Sequence, residues 1–231
     1  MRAVARSRTE RASRRSGPTL RARGGEMDQA LGPFLGTWTV MMAAMMLPSA
    51  TPMIRLHRLG ADGRLRTQLW SAAFVAGYLI VWASVGIVVW GAGIAASSIL
   101  IPEQRALAVS AILLLAGVYQ FTSVKATCLR ACRTPADFLL THWHRGLSGQ
   151  LRLGIEHGLY CLGCCWALMA LFVGVGAMSL VWAIGIALVV LVEKVRPEGI
   201  VFGRIAGTLL IAAAVIVLAR PELAMSVGGP M

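Results

Sequence analysis

The sequence predicts an all-α, polytopic helical membrane protein with about six transmembrane helices. Three observations carry that prediction. The 231-residue chain is 57% hydrophobic and only 14% charged, which is too apolar for a soluble domain of this length. Residues 29–54, 69–102, 106–124 and 158–192 contain no Asp, Glu, Lys or Arg, and a membrane helix needs about 20 mostly apolar residues. These runs also lack the apolar–polar alternation of β-barrel strands.

Residues 1–26 carry eight Arg and two Glu among Ser and Gly, with little to bury, and read as a disordered basic arm. A start at Met27 is an alternative beginning. One transmembrane domain is expected over 27–221, followed by a short tail at 222–231. The first span is placed at 31–53. Its second half, Met41-Met42-Ala43-Ala44-Met45-Met46-Leu47-Pro48-Ser49, is followed by Pro52. Each proline removes a backbone donor, so a kinked or broken helix end is expected there. On a helix, Met41, Met45 and Pro48 share one face, and Met42, Met46 and Met53 lie near another. A basic loop over 55–68 would hold His57.

The second span falls within 69–95, where Gly77, Gly86, Gly91 and Gly93 allow close helix approach. A short turn at 96–105 leads to a third span at 106–124. Residues 125–152 read as a loop bearing Cys128, Cys132, His142 and His144. The run 153–193 is too long for one span at about 1.5 Å rise per residue. Gly174, Gly176 and Ser179 offer a turn, giving spans at about 154–173 and 178–193. The last span is placed at 200–219.

Charge placement sets the orientation. The loops after spans one, three and five, together with Arg204 near the start of the last span, hold twelve Arg or Lys, against Arg105 alone in the two opposite loops. The positive-inside rule puts the twelve in the cytoplasm and leaves the N-terminal arm on the opposite side, in conflict with its own charge. The net charge of +12 therefore points to topology and anionic lipid, not to nucleic acid. A lipid bilayer is the expected environment.

The chemistry gathers near residue 160. His157, Cys161, Cys164 and Cys165 fall on one helical stripe, with Glu156 beside the histidine as a carboxylate able to orient its ring. Imidazole and thiols together are a partial ligand set for a soft or borderline metal; thiolates and thioethers favour Cu(I), and thiolates with imidazole also suit Zn(II). Cys128 and Cys132, spaced i and i+4, are candidates to complete the same site, and Met42, Met45 and Met46 are candidate thioether ligands. Glu193-Lys194 reads as a structural pair or anchor. Stable disulfides are not expected in a reducing cytosol.

As a set, Met41–Ser49, Gly117-Val118-Tyr119-Gln120, Lys125-x-x-Cys128-Leu129-x-x-Cys132-Arg133, Tyr160–Met169 and Glu193-Lys194 resemble a bacterial family of uncharacterised, predicted metal-binding integral membrane proteins. The resemblance spans residues 38–207. It implies a multi-pass inner-membrane protein with a metal site, copper being the usual assignment, and a further span ahead of the Met-rich one in most members.

The expected function is copper handling, with zinc as the alternative ion, by binding and delivery to or from a metal-donor or metal-acceptor protein, or by translocation. The competing class is a membrane thiol–disulfide oxidoreductase cycling Cys161/Cys164 against Cys128/Cys132. At a helix start, thiolates of a Cys-x-x-Cys pair are stabilised by the helix N-terminus. A structural membrane subunit whose cysteines merely pack is the third. The predicted cytoplasmic placement and the extra Cys165 make an enzyme the less favoured class, and the sequence shows no phosphate-binding loop, nucleophile elbow or His-Glu-x-x-His helix.

Overall fold

The computed structural model describes residues 19–58, 63–99, 102–174 and 180–220. These residues form eight α-helices and no strand: α1 Thr19–Arg58, α2 Arg64–Ile99, α3 Pro102–Tyr119, α4 Ser123–Arg133, α5 Pro135–His142, α6 Gly146–Gly174, α7 Leu180–Val195 and α8 Gly199–Ala219. Four of them contain stretches long and apolar enough to cross a membrane: Leu31–Arg58, Arg64–Ala95, Gly146–Leu171 and Gly199–Ala219. Ala106–Tyr119 and Ser123–Arg133 make a fifth if counted as one span broken by a 64° bend. The segment expected at 178–193 appears as α7, and the turn expected around Gly176 and Ser179 lies outside the described residues.

Several expectations change. The first helix starts at Thr19, inside the stretch assigned to the arm; residues 1–18 and the tail at 222–231 lie outside the described residues. Extending an existing helix costs little, because each added residue gains a bond. α1 also does not break at Pro48 or Pro52 but continues to Arg58. Ser49 and Thr51 bond back to the Met46 and Leu47 carbonyls at 2.8 and 3.1 Å, and packed neighbours tolerate prolines within a span. Residues assigned to a loop at 125–152 are instead the short helices α4 and α5 plus the first turns of α6. The Thr122 hydroxyl accepts from the Lys125 amide at the start of α4, and Pro135 opens α5 where its missing N–H is not needed.

Two glycine contacts hold the helices close. A Cβ on Gly77 of α2 would strike the Leu151 carbonyl oxygen, and one on Gly154 of α6 would strike that of Phe74. The α2 and α6 backbones therefore touch, which aligns the Phe74–Tyr78 turn with the His157–Cys161 turn. Gly117 of α3 and Gly207 of α8 make the second contact: a Cβ on either would lie 2.8–2.9 Å from the carbonyl oxygen of the other.

The main core lies where α1, α2, α6 and α7 meet. It contains Trp38, Met42, Met46, Tyr78, Trp82, Cys161, Cys164, Cys165, Leu168 and Val190. Trp38 Nε1 donates to the Trp82 carbonyl at 2.9 Å, so the indole N–H is satisfied inside it. Large apolar side chains such as Val88, Leu209 and Ile216 are exposed on the outside, which is compatible with membrane insertion.

Candidate metal centre

Cys161, Cys164 and Cys165 occupy successive inward positions of α6, and helical spacing alone puts their thiols together. The three sulfurs lie within 4.8 Å of one another, and all three residues are buried. Cys164 and Cys165 each donate to the Cys161 carbonyl at 3.0 Å, which fixes their side-chain directions.

Helix α4 brings two more thiols to this face. Cys132 Sγ is 4.0 Å from Cys164 Sγ. Cys128, one turn earlier, fits over Gly163: a Cβ there would be 2.6 Å from its sulfur. Tyr119, just before the bend, donates to the Gly163 carbonyl at 2.5 Å and ties the end of α3 to the same turn. All five cysteines are free thiols.

Three residues that the sequence reading did not assign to the site complete the surroundings. Lys194 of α7 donates to Cys161 Sγ at 3.0 Å and to Ser49 Oγ of α1 at 3.1 Å. The Tyr78 hydroxyl of α2 is 2.9 Å from the same sulfur. Cys161 thus meets an ammonium and a phenol in an apolar core, where an uncompensated charge would be costly. A signal existed in the sequence, since Lys194 ends an apolar span and an ionisable residue at membrane depth suggests function.

The adjacent Glu193 faces elsewhere, so the expected Glu193–Lys194 pair is corrected. Neighbouring residues on a helix point about 100° apart. Glu193 instead forms a buried ion pair with Lys125 at 2.7 Å, and Lys125 also bonds to the Gln120 side chain.

His157 is on the expected stripe, but its ring does not join the sulfurs: among the described residues the close ligand group holds only the three thiols. The ring sits among Phe74, Tyr78 and Phe138, with centroids 5.8, 6.0 and 5.2 Å away. Glu156 does not orient it. Its carboxylate accepts from Arg152 Nε at 2.8 Å and lies 3.6 Å from His144 Nε2, because residue i+4 shares its side of the helix whereas residue i+1 does not. His142 stacks on Phe138 at 4.3 Å and is not part of the close thiol group. His57, expected in a loop, is fully buried within α1.

The methionines divide as their helical faces imply. Met42 and Met46 are fully buried in the core that contains the thiols. Met41, Met45 and Pro48 line a cavity of about 830 Å³ between α1 and α7, with Ala183, Ile184 and Leu188 opposite.

Chemically, this is a sulfur-rich, desolvated donor set without a carboxylate in the close group. That suits a soft ion and disfavours Mg(II) or Ca(II), which want oxygen ligands. No curated protein and no solved structure matches the chain. A family model does: PpoB2, described as copper chaperone, matches residues 35–217, most of the sequence. The sulfur cluster and this match agree, and the chain belongs to the PpoB2 family of copper chaperones.

Proposed function

We propose that this protein holds a cuprous ion at Cys161, Cys164 and Cys165 within the bacterial inner membrane and passes it to an acceptor protein, with Cys132 and Cys128 as the thiols next to the site. The observation that carries this reading is the convergence of three buried thiol sulfurs within 4.8 Å in a chain of a copper chaperone family. Charge arithmetic supports Cu(I) in particular. With two of the three thiols ionised, a monovalent ion leaves one negative charge, and the Lys194 ammonium at 3.0 Å from Cys161 cancels it. Zn(II) with the same two thiolates is already neutral, so the lysine would add an uncompensated charge to an apolar interior, and all three thiols would have to ionise to balance it.

Delivery is favoured over translocation because the thiols form one cluster and not a row across the bilayer. Arg55, Arg58, Arg64 and Arg66, in the helix ends that flank the α1–α2 connection, support a cytoplasmic position for it.

The test is elemental analysis of detergent-purified protein from copper- and zinc-supplemented cells. It is run beside a variant with Cys161, Cys164 and Cys165 changed to Ser. Near-stoichiometric copper, lost in the variant, is expected; zinc in its place would overturn the ion, and no metal in either would overturn the site.

A thiol–disulfide reading rests on one contact, Cys132 Sγ to Cys164 Sγ at 4.0 Å, from which a rotamer change could reach the roughly 2.05 Å of a disulfide. A metal-free protein whose intact mass drops by two hydrogens on mild oxidation would favour it.

A further inference from the structure

The three thiols of the cluster are sealed from solution. Cys161, Cys164 and Cys165 are each at most 1% exposed, so no donor or acceptor protein can touch an ion held among them. Cys128 and Cys132 of α4 are half-buried, and they are the thiols reached from outside. An ion at the cluster therefore needs a ligand that meets both the cluster and the surface.

Cys132 meets both. Its Sγ is 4.0 Å from Cys164 Sγ. Metal–thiolate bonds run to about 2.3 Å, so one ion can join two sulfurs up to roughly 4.6 Å apart, and this pair already lies inside that span. Cys164 also belongs to the three-thiol group. It is thus common to two ligand sets, the buried trio on α6 and the Cys164–Cys132 pair between α6 and α4. The two helices pack closely because residue 163 is Gly: a Cβ there would strike Cys128 Sγ.

The surroundings of Cys132 are polar on the outer side. Arg130 is exposed, and Arg133 Nη2 donates to the Pro197 carbonyl at 2.9 Å. The end of α4 therefore lies against the turn between α7 and α8. Charges of this kind mark the rim of a membrane domain and not its apolar middle. An ion moved from the trio to the pair is moved toward that rim.

We propose that Cys132 is the exchange ligand of the cluster, taking the cuprous ion together with Cys164 and presenting it to the partner protein. This deepens the copper reading above and rests on it. Copper stays Cu(I) throughout. The bond to Cys132 forms as one to Cys161 or Cys165 breaks, and the proton that Cys132 gives up passes to the departing sulfur. Two donors of the acceptor then displace Cys164 and Cys132, whose thiolates take up protons from water. Because Cys164 stays bound during the first exchange, the ion never stands bare in the apolar interior.

The experiment uses full-length protein in detergent, loaded anaerobically with one equivalent of Cu(I). Release to bathocuproine disulfonate, an anionic Cu(I) chelator, is timed by the colour of its cuprous complex, and uptake is timed from cuprous glutathione. Wild type is compared with Cys132→Ser. A ligand used only in passage lowers a barrier and leaves both end states where they are. Release and uptake should therefore both slow about tenfold, with copper stoichiometry and affinity as in wild type. A permanent fourth ligand would instead weaken affinity and quicken release, and a merely packed cysteine would change neither rate; either result overturns the exchange role. If Cys132→Ser misfolds, Cys128→Ser protein is loaded and its Cys132 is blocked with iodoacetamide, as confirmed by intact mass. Copper should then stay trapped, and release at the unblocked rate overturns the exchange role while leaving the thiol cluster standing. Wild type that takes up no copper would overturn the copper reading itself.

Discussion

Two lysines are buried near the end of α7, and they live differently. Lys125 pairs with Glu193 at 2.7 Å and bonds to Gln120, so its charge is matched within the fold. Lys194, the next residue after Glu193, meets a thiol and a hydroxyl, and among the described residues it has no carboxylate partner. The first arrangement is closed: it ties α4 and α7 to the bend after α3, beside Gly203 of α8, where a Cβ would lie 3.0 Å from Glu193 Oε1. The second keeps a positive charge in reserve at the sulfur cluster. A buried charge matched by a carboxylate serves the scaffold; on the copper reading, one matched by a thiol serves the ion that makes the thiol anionic.

That contrast can be broken in graded ways. The largest effect on stability is expected from Lys125→Met, which strands the Glu193 carboxylate; about 3–5 kcal/mol should be lost. A thermal unfolding scan would read it, while copper bound per folded molecule stays unchanged. Adding Glu193→Leu to that variant should restore most of the loss, because removing both charges together is often neutral. If the double variant is no better than the single, the pair does more than hold helices.

Lys194→Met should reverse the pattern. Its unfolding temperature should change less than that of Lys125→Met, whereas Cu(I) affinity in a competition titration falls at least tenfold, about 1.4 kcal/mol. The Cu:Zn ratio after growth in both metals should also fall. An unchanged ratio would show that the ammonium does not set the ion.

A smaller change should come from Gly163→Ala, where the new Cβ would press on Cys128 Sγ. Alkylation of Cys128 should then quicken, with copper stoichiometry kept. The smallest effect is expected from Glu156→Gln, whose partners are a surface arginine and a half-exposed histidine. Exposed pairs contribute about 0.2–1 kcal/mol, and copper binding should not move.

Much of this was legible in the sequence. Uncharged runs located the long helices, and 3.6-residue spacing sorted Met42 and Met46 from Met41 and Met45 and gathered Cys161, Cys164 and Cys165. Spacing names a face but not what covers it. His157 therefore looked like a thiol neighbour until α2 and α5 placed Phe74, Tyr78 and Phe138 around it. Glu193 and Lys194 looked paired because they are adjacent, and Ser49 and Tyr78 gave no signal, since their roles depend on long-range contacts with α7 and α6. His57 was misplaced because the Arg residues beside it suggested a loop, although the helix continues past two prolines.

The most direct test of the central claim is copper K-edge X-ray absorption on wild-type protein loaded anaerobically with one equivalent of Cu(I). The thiol cluster predicts a first shell dominated by sulfur, which is lost when Cys161, Cys164 and Cys165 are changed to Ser. A first shell of nitrogen and oxygen, or a sulfur shell that survives in that variant, would contradict it.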